Sequence, residues 1–434
     1  MEKLKRGVGM TKILRYTMIF VFFLPFFLSP ATGIAQYRKE FTPRISVGQE
    51  FDDNIYLDNT DEKSDYITTA SPGFNLKISS LKNVLTLDYS PTWVWYNDYD
   101  ENDTVRHTGS LYFSEDITQH LRFSLSDTYT QSEEPIETAE HIEGIRSTRN
   151  TYKRNNGSAG IDYQFGSKNN ISIGYAHSLL ENEDITLNDG KIQNPSLAIS
   201  YWVNVKNSLE LTYHFTDAAF SRDDNLDAED DYTGNATGIN YTYFFTPHKW
   251  GSMKYRFTNR NFDGLTEDYS VHEGNLGFGY EVSNDLSLTL EGGAFNQVNE
   301  ERDDEIGYNY AVSLINNFRR GSFKLGGSGG WDEYYLEAER RGFVRFWSAY
   351  TRIEYLLMKY LSVHADAAYR HNKFTDERRW RILRGSFGFN LDFLRWFTLS
   401  LDYNYAQQDD DVDLEDFKDN RIILSLTTKR LFRW

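Results

Sequence analysis

Phe397-Thr398-Leu399-Ser400-Leu401-Asp402-Tyr403-Asn404-Tyr405 alternates apolar and polar side chains without a break. A period of two puts one set on each face of an extended strand, so the two faces must meet different surroundings. The same pattern sets Leu209, Leu211, Tyr213 and Phe215 against Glu210, Thr212, His214 and Thr216. It also sets Leu85, Leu87, Tyr89, Trp93 and Trp95 against Thr86, Asp88, Ser90 and Thr92. These runs extend for about 12–16 residues. Strands of soluble sandwiches and propellers usually run about 5–6 residues, whereas a strand crossing a bilayer needs about 9–11. The length favours a membrane strand over the soluble alternatives.

Connections between the runs alternate in kind. Short ones fall at Ser80–Lys82, Thr118–His120, Gly166–Asn169, Asn204–Lys206, Thr246–His248, Ser283–Asp285, Arg319–Gly321, Leu357–Lys359 and Leu394–Arg395. Longer, acidic ones include Leu57–Lys63, Glu134–Thr148, Glu183–Gly190, Arg222–Asp230, Glu300–Glu305 and Asp409–Glu415. Short periplasmic turns facing long external loops are the habit of outer-membrane barrels. Only helices and closed barrels satisfy every backbone polar group in lipid. The expected fold is therefore all-β: one transmembrane antiparallel barrel of about 20 strands, within 18–22, with both chain ends on the periplasmic side. No linker or change of composition divides it, so residues 36–434 read as one domain.

Residues 1–35 have a different character. Lys3, Lys5, Arg6, Lys12 and Arg15 form a basic head, Tyr16 to Leu28 an apolar stretch, and Gly33-Ile34-Ala35 a small-residue site. This reads as a secretory signal peptide cut after Ala35. The first strand signal follows within about six residues, so a plug domain is not expected. The chain has no Cys, which excludes a disulfide, a thiolate site and a lipidated N-terminal cysteine. Its formal charge is −18, and the basic head makes the remainder still more acidic, which argues against nucleic-acid binding. Mean hydropathy is −0.61, which a barrel tolerates because only alternate strand residues face lipid. Aromatics make up 16% of the chain, enough to furnish girdles at both membrane interfaces.

No catalytic constellation stands out, and neither an enzyme activity nor a cofactor or metal is expected. His364, Asp366 and Arg370 share a parity, which suits a polar interior cluster and is the weak basis for an alternative reading as an outer-membrane hydrolase. Gly326-Gly327-Ser328-Gly329-Gly330 lies inside an alternating run with no helix after it. It therefore reads as strand flexibility, close backbone approach or a bulge rather than a phosphate cradle. Asp409-Asp410-Asp411-Val412-Asp413-Leu414-Glu415-Asp416 and the run from Arg222 to Asp230 offer hard oxygen ligands for Ca²⁺ but lack the glycine of a helix-flanked calcium loop. A solvated acidic surface is the plainer reading. The polar parity assigns Thr86, Asp88, Glu210, Thr212, Glu291, His364, Asp366, Arg370 and Asp402 to the lumen wall. At the C-terminus, Ile422, Leu424, Leu426, Phe432 and Trp434 share one parity. This segment resembles the terminal signal by which bacterial barrels are recognised for assembly, with Phe432 and Trp434 as its aromatics.

Phe51-Asp52-Asp53-Asn54-Ile55-Tyr56-Leu57 is followed by Ser64-Asp65-Tyr66-Ile67-Thr68 and Ser71-Pro72-Gly73-Phe74-Asn75-Leu76. This stretch resembles the first hairpin of a family of outer-membrane β-barrel porins whose members accompany exopolysaccharide loci, including exosortase-linked ones. The resemblance implies a porin-like component of polysaccharide export or assembly in a Gram-negative outer membrane, and it supplies no catalytic residues. Asp52, Asp53 and Asn54 themselves read as turn chemistry at the end of the first upward strand. The function expected is passage of solute or glycan along a polar lumen, with a non-conducting structural barrel of a secretion system as the alternative. Expected partners are outer-membrane lipid and lipopolysaccharide, the barrel-assembly machinery, and polysaccharide with periplasmic secretion components.

Overall fold

The structure is a computed structural model that describes residues 37–134, 149–184, 187, 189–221, 231–264, 266–334, 342–375, 378–411 and 416–434. The expected signal peptide and its cleavage site at Ala35 lie outside these residues, as do the run 222–230 and most of 134–148 and 409–415.

The alternating runs become strands in chain order. They are β1 (Arg38–Asp52), β2 (Asp65–Ser79), β3 (Asn83–Tyr96), β4 (Thr104–Asp116) and β5 (Leu121–Ser132). Next come β6 (Tyr152–Gln164), β7 (Asn170–Asn182), β8 (Asp189–Asn204), β9 (Asn207–Ser221) and β10 (Tyr232–Thr246). Then follow β11 (Lys249–Phe262), β12 (Tyr269–Glu281), β13 (Leu286–Asn299), β14 (Glu305–Phe318) and β15 (Gly321–Tyr334). The set is completed by β16 (Gly342–Met358), β17 (Leu361–Phe374), β18 (Arg379–Phe393), β19 (Phe397–Asp410) and β20 (Phe417–Lys429). Each pairs antiparallel with the next, and β20 returns to β1 in register from Arg44↔Lys429 to Asp52↔Arg421. A two-residue strand, β21 (Phe432–Arg433), extends this seam against Glu40 and Phe41. The sheet is thus a closed 20-stranded antiparallel barrel, as the alternation predicts, and closure removes the unpaired edges that lipid would not tolerate.

The outer face carries the apolar parity. Leu211, Tyr213, Leu401, Tyr403, Ile422, Leu424 and Leu426 are all exposed there, as lipid-facing residues would be. Trp93 and Trp95 project outward near the long-loop end, while Phe432 and Trp434 do so at the short-turn end. The nine short turns fall where the sequence places them, at the same end as the β1–β21 seam. Among the described residues no helix is long and apolar enough to cross a membrane.

Prolines interrupt the ladder in a predictable way. Pairing of β2 with β3 runs from Ile67↔Tyr96 to Ala70↔Trp93 and resumes at Phe74↔Tyr89, so Pro72 and Pro91 fall opposite each other in the gap. Neither has an N–H to donate. Ser71 and Thr92 bridge the gap through their hydroxyls at 2.7 Å.

Candidate functional site

The site is the lumen, and its shape is set by two pieces of chain that turn inward at the long-loop end. The first is β15–β16. Pairing of β15 with β14 ends at Tyr310↔Gly329, yet pairing with β16 continues to Tyr334↔Gly342. The last residues of β15 therefore leave the wall. They do so at the glycine run: a Cβ on Gly329 would stand 2.5 Å from the Tyr310 ring, and one on Gly330 would stand 2.5 Å from Asn309 Oδ1. The freed end is tethered from inside. Arg260 Nη2 donates to Glu333 Oε2 at 2.7 Å, and Tyr269 Oη donates to Oε1 at 2.5 Å. Trp331 stacks on Phe343 at 5.5 Å, and Phe343 is buried with Tyr269, Val271 and Phe295 of the facing wall. Burying a side chain of that size contributes about 1.5–3 kcal/mol.

The second piece is the connection from β5 to β6. Its described ends, Glu133, Glu134 and Arg149, reach across to β1, β3, β4 and β20. Arg106 Nη2 meets Glu133 at 2.6 Å and Glu134 at 2.8 Å. Arg149 Nε donates to the Ile55 carbonyl at 2.5 Å and Nη1 to the Tyr96 hydroxyl at 2.6 Å. Arg421 Nη1 donates to Glu134 Oε1 at 2.8 Å, closing the cluster onto the β1–β20 seam. Burial by itself would raise the Glu134 carboxyl, but Arg149, Arg421 and Arg106 overcome it and hold the group well below the usual glutamate range. Burial opposes the Arg149 charge in turn, and Glu134, Tyr96 and Asp52 together more than restore it.

Asp52, Asp53 and Asn54 supply the floor of this cluster. Turn chemistry is present, since Asn54 N–H donates to Asp52 Oδ1 at 2.8 Å. The same residues also do more than turn the chain. Asn54 Nδ2 donates to the carbonyls of Asp58 and Lys418, both at 2.8 Å, and Asp53 accepts both the backbone and side-chain N–H of Asn420 at 2.7 Å. Asp52 is fully buried, its Oδ2 lying 3.3 Å from Arg421 Nε and 3.5 Å from Arg149 Nη2. Among the described residues, Asp52, Asp53 and Asp419 have the spacing to hold a cation. Arg421 already stands against Asp52 and Asp419, Arg149 against Asp52, and Asn420 against Asp53, so the group works as an ion-pair hub.

The nine residues that parity assigns to the lumen wall occur at separate heights, and five of them (Asp88, Glu291, His364, Arg370 and Asp402) are tied across an intervening strand. Arg44 spans β2 to make a two-pronged bond with Asp88 at 2.7 and 2.8 Å. Lys254 reaches over β12 to Glu291 at 2.5 Å, and Asn240 Nδ2 donates to Glu210 at 3.4 Å. Thr212 lines a cavity under the inturned end of β15, and Thr86 stands opposite Lys77 in the β2–β3 ladder. His364 Nε2 meets Asp402 at 3.1 Å across β18, directly over Gly388, where any Cβ would collide with both. Asp366 accepts the Ser386 hydroxyl at 2.6 Å. Arg370 is buried under Phe346 and bonds Asp332 at 2.9 Å, so it braces the inturned end of β15. His364, Asp366 and Arg370 therefore have three different partners rather than forming one relay.

Beneath the inturned β15–β16 end lies a cavity of about 500 Å³, walled by β9 to β14 and roofed by Trp331, Glu333 and Phe346. Parity alone could flag its polar wall. The roof could not be foreseen, because Glu333 and Arg260 are 73 residues apart.

The barrel is similar in fold to two solved outer-membrane proteins. The siderophore receptor PirA from Pseudomonas aeruginosa aligns at TM-score 0.53 and 9% identity, over 90% of this chain and 80% of that one. The FrpB iron transporter from Neisseria meningitidis aligns at TM-score 0.54 and 9% identity, over 90% and 82%. OccAB4 from Acinetobacter baumannii covers 93% of this chain and 100% of its own at 14% identity, with a TM-score of 0.43. Comparison with curated proteins gives no match. Residues 40–196 match the family described as Putative beta-barrel porin 2. The first seven strands and half of the eighth thus carry the sequence pattern of a β-barrel porin family, within an outer-membrane barrel that closes at twenty strands.

Proposed function

We propose that the protein is a passive outer-membrane pore that passes polar solute or glycan along its lumen, as a component of exopolysaccharide export. The observation that carries the reading is the closed 20-stranded wall with a polar inner face. Barrels of about 16–18 strands already leave an aqueous channel. Here the two inturned pieces narrow the long-loop end without replacing the wall, and they leave a polar cavity along it. The link to exopolysaccharide rests on the resemblance of the first hairpin. No catalysis is assigned: Ser386 donates a hydrogen bond to Asp366, while His364 is turned to Asp402, so these residues do not line up as a serine–histidine–aspartate relay. Lipopolysaccharide, the assembly machinery and periplasmic export components are the partners this role requires.

The ion-pair clamp of Glu134 on Arg421 and Arg106 supports a second reading, a barrel held shut that serves as a scaffold. Efflux of fluorescent oligosaccharides from proteoliposomes separates the two. A pore releases short glycans quickly and long ones slowly. Retention of every size would leave the scaffold.

A further inference from the structure

We infer that the cavity beneath the inturned end of β15–β16 binds an acidic sugar, a hexuronate unit of a glycan chain. This deepens the pore reading and rests on it only for how the sugar arrives. The cavity, about 500 Å³, lies within the usual range for small-ligand sites, about 300–1,000 Å³.

Most charges on its wall are already matched. Glu291 is held by Lys254 at 2.5 Å, Glu333 by Arg260 at 2.7 Å, and Asp332 by Arg370 at 2.9 Å. Among the described residues Glu273 and Arg256 have no ion pair, and the one with no bond at all is Arg256. It lines the cavity, is exposed to it, and among the described residues has neither a hydrogen bond nor an ion pair. It stands opposite Glu273 in the β11–β12 ladder, yet Glu273 takes its bond from Asn275 Nδ2 at 2.6 Å instead. A guanidinium left free in an acidic chain presents a planar fork that fits one carboxylate with two parallel bonds.

The rest of the lining suits what a uronate carries besides its carboxylate. Glu273 and Asn309 offer acceptors for ring hydroxyls, and Trp331 offers an apolar surface for the C–H face of a pyranose. A free amino acid would match Arg256 and Glu273 as a zwitterion, but it would leave most of the cavity unfilled. The site also sits on the wall of a lumen, where a longer chain can pass while one unit is held.

The test is calorimetric titration of the refolded full-length barrel in detergent with trigalacturonate, maltotriose and glutamate. Trigalacturonate should bind at least tenfold tighter than either of the others. Arg256→Gln should abolish that preference, and Arg256→Lys should restore only part of it because an ammonium lacks the fork. Lys324→Gln, on β15 outside the cavity, should leave it unchanged. Equal binding of trigalacturonate and maltotriose, tighter binding of glutamate, or full preference in Arg256→Gln would each overturn the assignment. Bilayer conductance of the same preparation decides the pore separately. A silent barrel that prefers trigalacturonate keeps the site and loses the pore, and a conducting barrel without the preference does the reverse.

Discussion

Single residues in this wall act by joining strands that are not neighbours. His364 and Asp402 meet only because Gly388 between them has no side chain. Gly388→Ala should therefore break that bridge and force the local wall outward, at a cost of about 1–3 kcal/mol. Urea unfolding of the refolded protein, followed by tryptophan fluorescence, would show it as a lower midpoint with an unchanged slope. Arg421 is a larger case, buried against Asp52, Asp419, Glu50 and Glu134. Arg421→Ala leaves those carboxylates facing one another, and removing one partner of a buried pair typically costs about 3–5 kcal/mol. An unfolding midpoint equal to that of the parent protein would contradict the hub.

At the scale of elements, the two inturned pieces are held by few side chains and should be released by few changes. Glu333→Ala removes the acceptor shared by Arg260 and Tyr269, so the β15–β16 end should loosen. Hydrogen exchange should rise in residues 330–334 and 342–346 while β11 and β12 stay protected. The β5–β6 clamp predicts a pH dependence with a definite sign. Glu134 titrates lower in the folded protein than in a free chain. Its contribution is thus complete above the ordinary glutamate value of about 4.3 and is lost as pH falls through the lower folded value. Protection of residues 149–151 should therefore fall in acid below about pH 4, as Glu134 takes up its proton. The strands themselves were legible in the sequence, because a period of two is a local signal that neighbouring residues carry together. The inturned pieces were not, because Glu134 and Arg421 are 287 residues apart. Only the glycines from Gly326 to Gly330 hinted at them, as a place of close backbone approach, and that is where β15 parts from β14. Asp52, Asp53 and Asn54 showed their turn chemistry but not their burial, which depends on β20 and the β5–β6 connection arriving from elsewhere.

For the whole molecule, closure decides what the wall can do. The β1–β20 register and the backbone pair between Lys39 and Trp434 seal the last edge, so β20 must pair with β1 before the barrel shuts. Removing Trp434 should lower the amount of folded barrel recovered from outer membranes, read as the heat-modifiable band on a gel. Undiminished recovery would leave the terminal aromatic without a role in assembly. Once closed, the wall encloses a polar lumen that the Glu134 and Glu333 tethers narrow, and the proposed pore requires that a path stays open past them. Single-channel recording of the refolded barrel in a planar bilayer tests this most directly. The account predicts stable openings, biased toward cations by the acidic loops, and a larger unit conductance in Glu333→Ala. A folded barrel that stays electrically silent, in both the parent protein and that variant, would contradict it.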